Sequence, residues 1–329
     1  MVINGYTLKD ELKNADSGFS KWGFATKGGK EYFIKELINP VYPIDAGAMS
    51  KELFENRRKF CANYEDRYRN YYASINQASR GNLVRIIEFF RCGSRYYIVT
   101  EKVSGSIISL DEVSALSEEN KFLLMKSVAY AFDCLHTAGI VHFDVKTTNI
   151  LVKRTPGGRY TARVIDFDSG YFNGEQRDDQ EIGGDLTYLA PETFMGICGE
   201  KIVPDEKSDI FALGLVFHEY YCGKLPYYDP NEYEYIYEAA LDGGQIIPDK
   251  DAMPEELANL IMSMLDADPS KRPSAKQIMK ELQEMSPCHN CFEIVSDTSE
   301  TNEDSSAKTE SELAPKTGEN SWFSTAGDL

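Results

Sequence analysis

The chain has 329 residues, with 35 lysines and arginines against 53 acids and a formal net charge of −18. That length accommodates two domains, or one large two-lobed domain with a substantial core. A content of 42% hydrophobic and 12% aromatic residues excludes wholesale disorder. The acidity argues against non-specific binding to nucleic acid or to an anionic membrane, both of which require basic surface.

No apolar run approaches the roughly 20 residues that cross a bilayer, and the opening segment is too polar for a signal peptide. Seven scattered cysteines fit a reducing compartment better than a disulfide framework, so a cytoplasmic protein is expected. Cys288 and Cys291 form a CxxC with no second pair nearby, a poor basis for a metal site.

In chain order, alternation predicts strands over 23–26 and 31–37, joined by the hairpin-like Lys27-Gly28-Gly29-Lys30. A charged, tyrosine-rich helix is expected over about 50–75. Two more strands follow, 84–91 and 95–103, around Cys92-Gly93-Ser94. After Gly105 the pattern turns helical: 121–137 ends at Gly139, and 209–222 and 255–265 carry the same spacing. From Ser296 onward eight acids face only Lys308 and Lys316, among Ser, Thr, Glu and Asn, which predicts a disordered tail. The expected organisation is a small β-rich lobe over 1–103, a larger helical lobe over 104–286 with a cleft between them, and an acidic tail over 287–329.

The chemistry concentrates in His142-Phe143-Asp144-Val145-Lys146-Thr147-Thr148-Asn149, which runs into the strand Ile150-Leu151-Val152. A second strand, Arg163-Val164-Ile165, then delivers Asp166-Phe167-Asp168. Phosphoryl transfer needs a carboxylate to orient a hydroxyl, a cation for the migrating group, and an amide with a carboxylate for Mg²⁺. Asp144, Lys146, Asn149 and Asp166 supply that set in that order.

Here the sequence resembles the eukaryotic-like (Hanks-type) Ser/Thr protein kinases, with their H-R-D-L-x-x-x-N catalytic loop and D-F-G metal loop. Further landmarks extend the resemblance over about 6–284. Tyr32-Phe33-Ile34-Lys35 resembles the strand with the phosphate-binding lysine, and Ile98-Val99-Thr100-Glu101 the strand entering the hinge. Ala190-Pro191-Glu192 resembles the end of the activation segment, and Ser208-Asp209 the start of the buried helix with its structural acid. Asp268-Pro269 with Lys271-Arg272-Pro273 resembles the late motif whose arginine pairs with Glu192. The resemblance implies an α+β, two-lobed protein-kinase fold and a soluble bacterial enzyme of the non-RD type. It implies ATP and Mg²⁺ as cofactors and a protein substrate. Asp144 and Lys146 become the catalytic residues, and Asn149 and Asp166 the metal ligands. Lys35 with a helix glutamate, Ser17, Gly18, Ser20, Thr100, Glu101, Val103 and Leu151 become the nucleotide contacts. Glu65 is favoured as the partner of Lys35, then Glu55, with Glu52 also possible by spacing.

The departures are as informative. Ala15, Ser17 and Ser20 stand where the phosphate-covering loop has glycines, and only Gly18 remains. Phe33 replaces a small residue above the adenine and either narrows the pocket or turns into the core. Phe143 replaces the arginine that grips an activation-loop phosphate, so switching by that route loses its receptor. Asp168 replaces the metal-loop glycine, which restricts movement of that loop. Asp185 stands where a threonine is usual and repels Asp144 unless Lys146 lies between them. The main expectation is an active Ser/Thr protein kinase, with a pseudokinase scaffold as the alternative. Acids over 166–192 suggest substrates with basic residues near the phosphosite, and the tail offers sites for autoregulation or docking.

Overall fold

The structure, a computed structural model, describes residues 1–14, 20–45, 47, 49–155, 157–175 and 184–286. The Ser17 and Gly18 positions and the whole tail therefore lie outside the described residues. An N-terminal hairpin, β1 (Val2–Ile3) and β2 (Tyr6–Leu8), leads through β3 (Lys13–Asn14) to the longer β4 (Ser20–Lys27) and β5 (Lys30–Leu37). The β4–β5 turn has Gly28 and Gly29 both at positive φ, 59° and 76°. A two-residue hairpin that matches strand twist requires this conformation, which glycine adopts without strain.

Helix α1 (Lys51–Ala78) starts where Ser50 Oγ accepts the Leu53 N–H, and it extends past the expected 75. Strands β6 (Ile86–Cys92) and β7 (Arg95–Glu101) then complete a sheet in the order β1-β2-β4-β5-β7-β6, with β3 on β4. The two faces of this sheet do different work. Ala25, Ile34, Tyr97 and Val99 point to the outer face, where Ile3, Tyr6 and Leu8 of the N-terminal hairpin cover them. Alternation sends Trp22, Phe24, Phe33 and Lys35 to the opposite face, toward the rest of the molecule.

After β8 (Ser106–Ile107) and the short α2 (Leu110–Ser114), helix α3 (Glu118–Thr137) ends at Gly139, φ 69°. Three strands then carry the site: β9 (Ile140–Val141), β10 (Ile150–Arg154) and β11 (Tyr160–Val164), followed by β12 (Tyr171–Phe172) paired with β9. The remainder is helical: α4 (Pro191–Ile197), α5 (Glu206–Cys222), α6 (Ile236–Asp242), α7 (Glu255–Met264) and α8 (Ala275–Met285). This is the two-lobed α+β arrangement that the motifs imply. Among the described residues, no helix is long and apolar enough to cross a membrane.

The lobes are stitched beside the hinge. Val84 N–H donates to Val164 O, and Val164 N–H to Asn82 O, both at 2.8 Å. Arg163 meets the Glu101 carboxylate at 2.6 Å, and the same carboxylate accepts the Arg85 N–H. Deeper in the large lobe, the Arg272 guanidinium grips both oxygens of Glu192 at 2.7 Å. It also donates to the carbonyls of Asp266 and Lys207, and its side chain has no solvent exposure. Every donor direction of the planar fork is used, which offsets the cost of burying the charge. Arg272→Ala should lower unfolding free energy in chemical denaturation by about 3–5 kcal/mol, since Glu192 is left buried and unpaired. Arg272→Lys should recover only a small part, because an ammonium cannot reproduce the fork.

Candidate active site

The catalytic loop is suspended from α5. Asp209, with no side-chain exposure, accepts the backbone N–H groups of His142 and Phe143, each at 2.8 Å, and lies 3.0 Å from the His136 ring. These bonds hold Phe143 at φ 69°, in the left-handed region where a bulky residue is strained. His142 Nδ1 accepts the Asp144 N–H at 3.3 Å, so its proton sits on Nε2, which donates to Ile165 O at 3.0 Å. One imidazole thereby fixes the spacing between the two motif-bearing segments.

A tight turn over Thr147–Asn149 brings Asn149 back under Asp144. Its Nδ2 donates to both the backbone oxygen and the carboxylate of Asp144, at 2.8 Å. Lys146 Nζ lies 3.2 Å from the same carboxylate and 3.9 Å from Asp185. The lysine therefore lies between the two acids, the arrangement under which their mutual repulsion is screened.

Asp166 adopts φ 64° just after β11. Its carboxylate meets Lys35 Nζ at 2.7 Å across the cleft, and Asp168 meets the same ammonium at 2.9 Å. Burial alone would lower the Lys35 pKa, but Asp168 and then Asp166 outweigh it and raise it. For Asp166, burial opposes ionisation, and Lys35 overcomes it and holds the carboxyl below the ordinary range. Burial leaves Asp168 raised, despite Lys35, because the Asp166 charge stands beside it. Phe167, between them, is buried against His142. Gly170 follows where any Cβ would overlap Tyr71 Oη and Val141 O.

The expected Lys35–Glu65 ion pair is not formed. Glu65 accepts from the Tyr96 hydroxyl at 3.0 Å, and from Arg91 and Arg69 at 3.1 and 3.3 Å. The physical reason is register. Lys35 lies opposite Ile98, whereas Tyr96 is two residues along the strand and opposite Leu37. The metal loop meets α1 at Tyr71, whose hydroxyl donates to Phe167 O at 3.2 Å, close to two turns beyond Glu65. Glu55 pairs with Lys51, at 3.9 Å on the exposed first turns, and Glu52 is exposed.

The remaining expected nucleotide contacts divide by face. Ser20 is buried at the start of β4, opposite Leu37, on the face of Trp22 and Phe24. Thr100 lies opposite Phe33, with its hydroxyl 3.3 Å from Glu101 O. The Glu101 N–H is used within the protein, donating to Arg85 O. Val103 and Leu151 are half-buried, and Leu151 points away from the buried Ile150 and Val152. Phe33 does not turn into the core: it stacks on Trp22 at 5.7 Å and meets Phe24 edge-on at 5.8 Å. The motif reading missed this three-ring surface as a unit. The signal was available, since the period of two in paired strands places all three rings beside Lys35.

With this geometry in place, comparison with known proteins is direct. The protein kinase domain family matches residues 49–282. The chain belongs to the protein kinase family. A probable myosin light chain kinase of Dictyostelium discoideum is 28% identical over 63% of this chain and 66% of its own length. A probable serine/threonine-protein kinase of Clostridium perfringens is 26% identical over 79% of the chain and 37% of its own length. A serine/threonine-protein kinase of Saccharomyces cerevisiae is 27% identical over 64% of the chain and 18% of its own length. The chain thus spans less than two thirds of the length of these relatives.

Within this chain, the position of the usual loop arginine is apolar. Phe143 packs edge-on against Tyr171 at 5.3 Å, in a small cluster with Val141. Glu175, one of the acids over 166–192, is paired with Arg67 at 3.0 Å. Asp178, Asp179 and Glu181 lie outside the described residues. A second polar post on α5 supports the loop: Tyr188 Oη donates to Glu219 at 2.7 Å and lies 3.2 Å from Thr147 Oγ1. Burial pushes the Glu219 carboxyl from 4.5 up to about 7, only partly offset by the Tyr188 hydroxyl and helped by Asp185. The folded chain then holds a proton that the unfolded chain has lost, so this site's contribution to stability falls as pH rises from 4.5 to about 7. The loss should approach about 3 kcal/mol. Urea titrations at pH 5 and pH 8 should show it, and Glu219→Gln should flatten the difference.

Proposed function

We propose that this kinase transfers the γ-phosphoryl group of ATP to serine or threonine hydroxyls of a protein. The observation that carries the reading is the convergence of Asp144, Lys146, Asn149, Asp166 and Lys35 from three separate segments, with Asp144 oriented by both Asn149 and Lys146. In this reading the Asp144 carboxylate aligns the incoming hydroxyl and accepts its proton. Lys146, adjacent to that carboxylate, stabilises negative charge on the group in transit. Lys35 holds the nucleotide phosphates from the small lobe. Little covalent chemistry is asked of the protein, so positioning and electrostatics carry most of the rate.

Asn149 and Asp166 form a donor set that suits Mg²⁺. One amide and one carboxylate oxygen, completed by substrate phosphates, match a hard cation that rarely uses an all-protein cage. When bound, the ion would neutralise phosphate charge and fix its orientation. Lys146, two residues after Asp144, and the Ala190–Glu192 segment favour a Ser/Thr protein substrate, as do the serine/threonine kinases among the relatives. The acidic balance of the chain further favours a substrate with basic residues near the acceptor hydroxyl.

The adenine would lie between Leu151 and the rings of Phe33, Trp22 and Phe24, with the Glu101 carbonyl and the Val103 backbone at its edge. The same aromatic surface favours a second reading, a pseudokinase scaffold in which the rings fill the space a base would take. Two measurements decide. Asp144→Asn should reduce phosphate incorporation from labelled ATP·Mg²⁺ into a basic peptide by about 100-fold or more while the ATP-induced thermal shift persists. Equal incorporation by wild type and variant, or none by either, would overturn the enzyme reading. Phe33→Ala should weaken ATP binding by about 3- to 10-fold if the ring stacks on the base. Tighter binding by this variant would instead mean that Phe33 obstructs the pocket.

A further inference from the structure

The lysine at the centre of the site has two carboxylate partners, and both come from the metal loop. The side of α1 that faces it is aromatic. Ile98, opposite Lys35, is also opposite Phe89 of β6, and Phe89 is in ring contact with Tyr64, Tyr68 and Tyr72 of the helix at 6.3, 6.1 and 5.4 Å. These tyrosines follow helical spacing, so a continuous stripe of rings stands where a helix carboxylate would have to reach in. Glu65 lies at the edge of the stripe and is engaged by Tyr96, Arg91 and Arg69.

We propose that Asp168 is a positioning residue for Lys35, supplying from the metal loop the counter-ion that a helix glutamate supplies in the pattern this chain otherwise resembles. This deepens the kinase reading and rests on it. The local geometry suits the role. In an extended segment Asp166 and Asp168 would share one face, and the left-handed turn at Asp166 curls both toward Lys35 while Phe167 is buried on the other side. Phe167 is anchored by His142 and, through its carbonyl, by Tyr71, so the carboxylate that follows it has little freedom. Two oxygens at 2.7 and 2.9 Å then define the direction of the ammonium. A glycine at this position would leave Lys35 with Asp166 alone, the residue also required for metal.

The role has a consequence for control. Where the counter-ion sits on a helix, displacing the helix releases the lysine. Here neither ion pair is made by α1, which touches the metal loop through Tyr71, and rearrangement of the metal loop is what frees Lys35.

The test uses the full chain. Lys35 acylation by an N-hydroxysuccinimide acetate ester, at fixed pH without nucleotide, is followed by mass spectrometry. Binding of a fluorescent ATP analogue with Mg²⁺ is measured alongside. Loss of the ion pair in Asp168→Asn should raise Lys35 labelling by about threefold or more and weaken nucleotide binding by about tenfold. Asp168→Glu should restore both, and Glu65→Gln should leave Lys35 labelling unchanged. Asp168→Gly, with a thermal melt of each variant, provides a second reading should the asparagine variant fold poorly. Unchanged labelling in Asp168→Asn, increased labelling in Glu65→Gln, or tighter nucleotide binding without Asp168 would overturn the assignment. Absence of nucleotide binding by wild type would remove the kinase reading and the assignment with it, whereas unchanged labelling with binding intact removes the assignment alone.

Discussion

A single buried carboxylate organises the catalytic half of this molecule. Asp209 sits within α5, a helix buried from Ser208 to Tyr221. Helices apolar on all sides belong in the centre of a domain, and a charge there is tolerated only when its hydrogen bonds are complete. Asp209 completes them with the backbone of the catalytic loop itself, so the solvation need of one residue dictates the path of another segment. The left-handed strain at Phe143 is sustained by this demand. Glu219, two to three turns further along, repeats the arrangement through Tyr188 and Thr147. Lys207, at the start of the helix, provides a carbonyl to Arg272, which in turn holds Glu192. One helix therefore presents polar groups to the catalytic loop, the end of the activation segment and the late arginine.

The small lobe is organised by the two-sidedness of a sheet. Its outer face is closed by the N-terminal hairpin, and its inner face carries three rings and Lys35. An ammonium in such surroundings needs carboxylates, and the aromatic stripe of α1 has none to give at that height. The metal loop provides them. The contact between lobes at the cleft is thus electrostatic, while the contact beside the hinge combines backbone bonds with the Arg163–Glu101 pair.

The net charge of −18 also takes on a different meaning. Asp144, Asp166, Asp168, Glu192, Asp209 and Glu219 are engaged inside the structure, each with a cation, a hydroxyl or backbone N–H groups as partners. Their acidity serves architecture and the candidate chemistry rather than solubility. An ordinary surface acid such as Glu55, by contrast, has an exposed i,i+4 lysine partner worth a few tenths of a kcal/mol, ~0.3–0.5.

The linear pattern determined most of what is local. The β4–β5 hairpin was legible because Gly-Gly permits a turn with two positive φ values, and α3 and α5 because their spacing and terminal glycines follow helical geometry. The catalytic and metal loops were legible because their chemistry demands particular residue types at short, fixed separations. Matters of register between distant segments were not. Glu65 was the favoured partner of Lys35, counted back from Asn82-Leu83-Val84, yet pairing of β5 with β7 placed Tyr96 beside it and left the lysine two residues away. Asp168 looked like a glycine replaced, and only the curl of the loop at Asp166 turned it toward the lysine. Phe33 had two possible directions until strand pairing set it beside Trp22 and Phe24. Sequence specifies which side chains are near in the chain, and a shift of one residue in strand pairing or a rotation of 100° on a helix decides which of them meet across it.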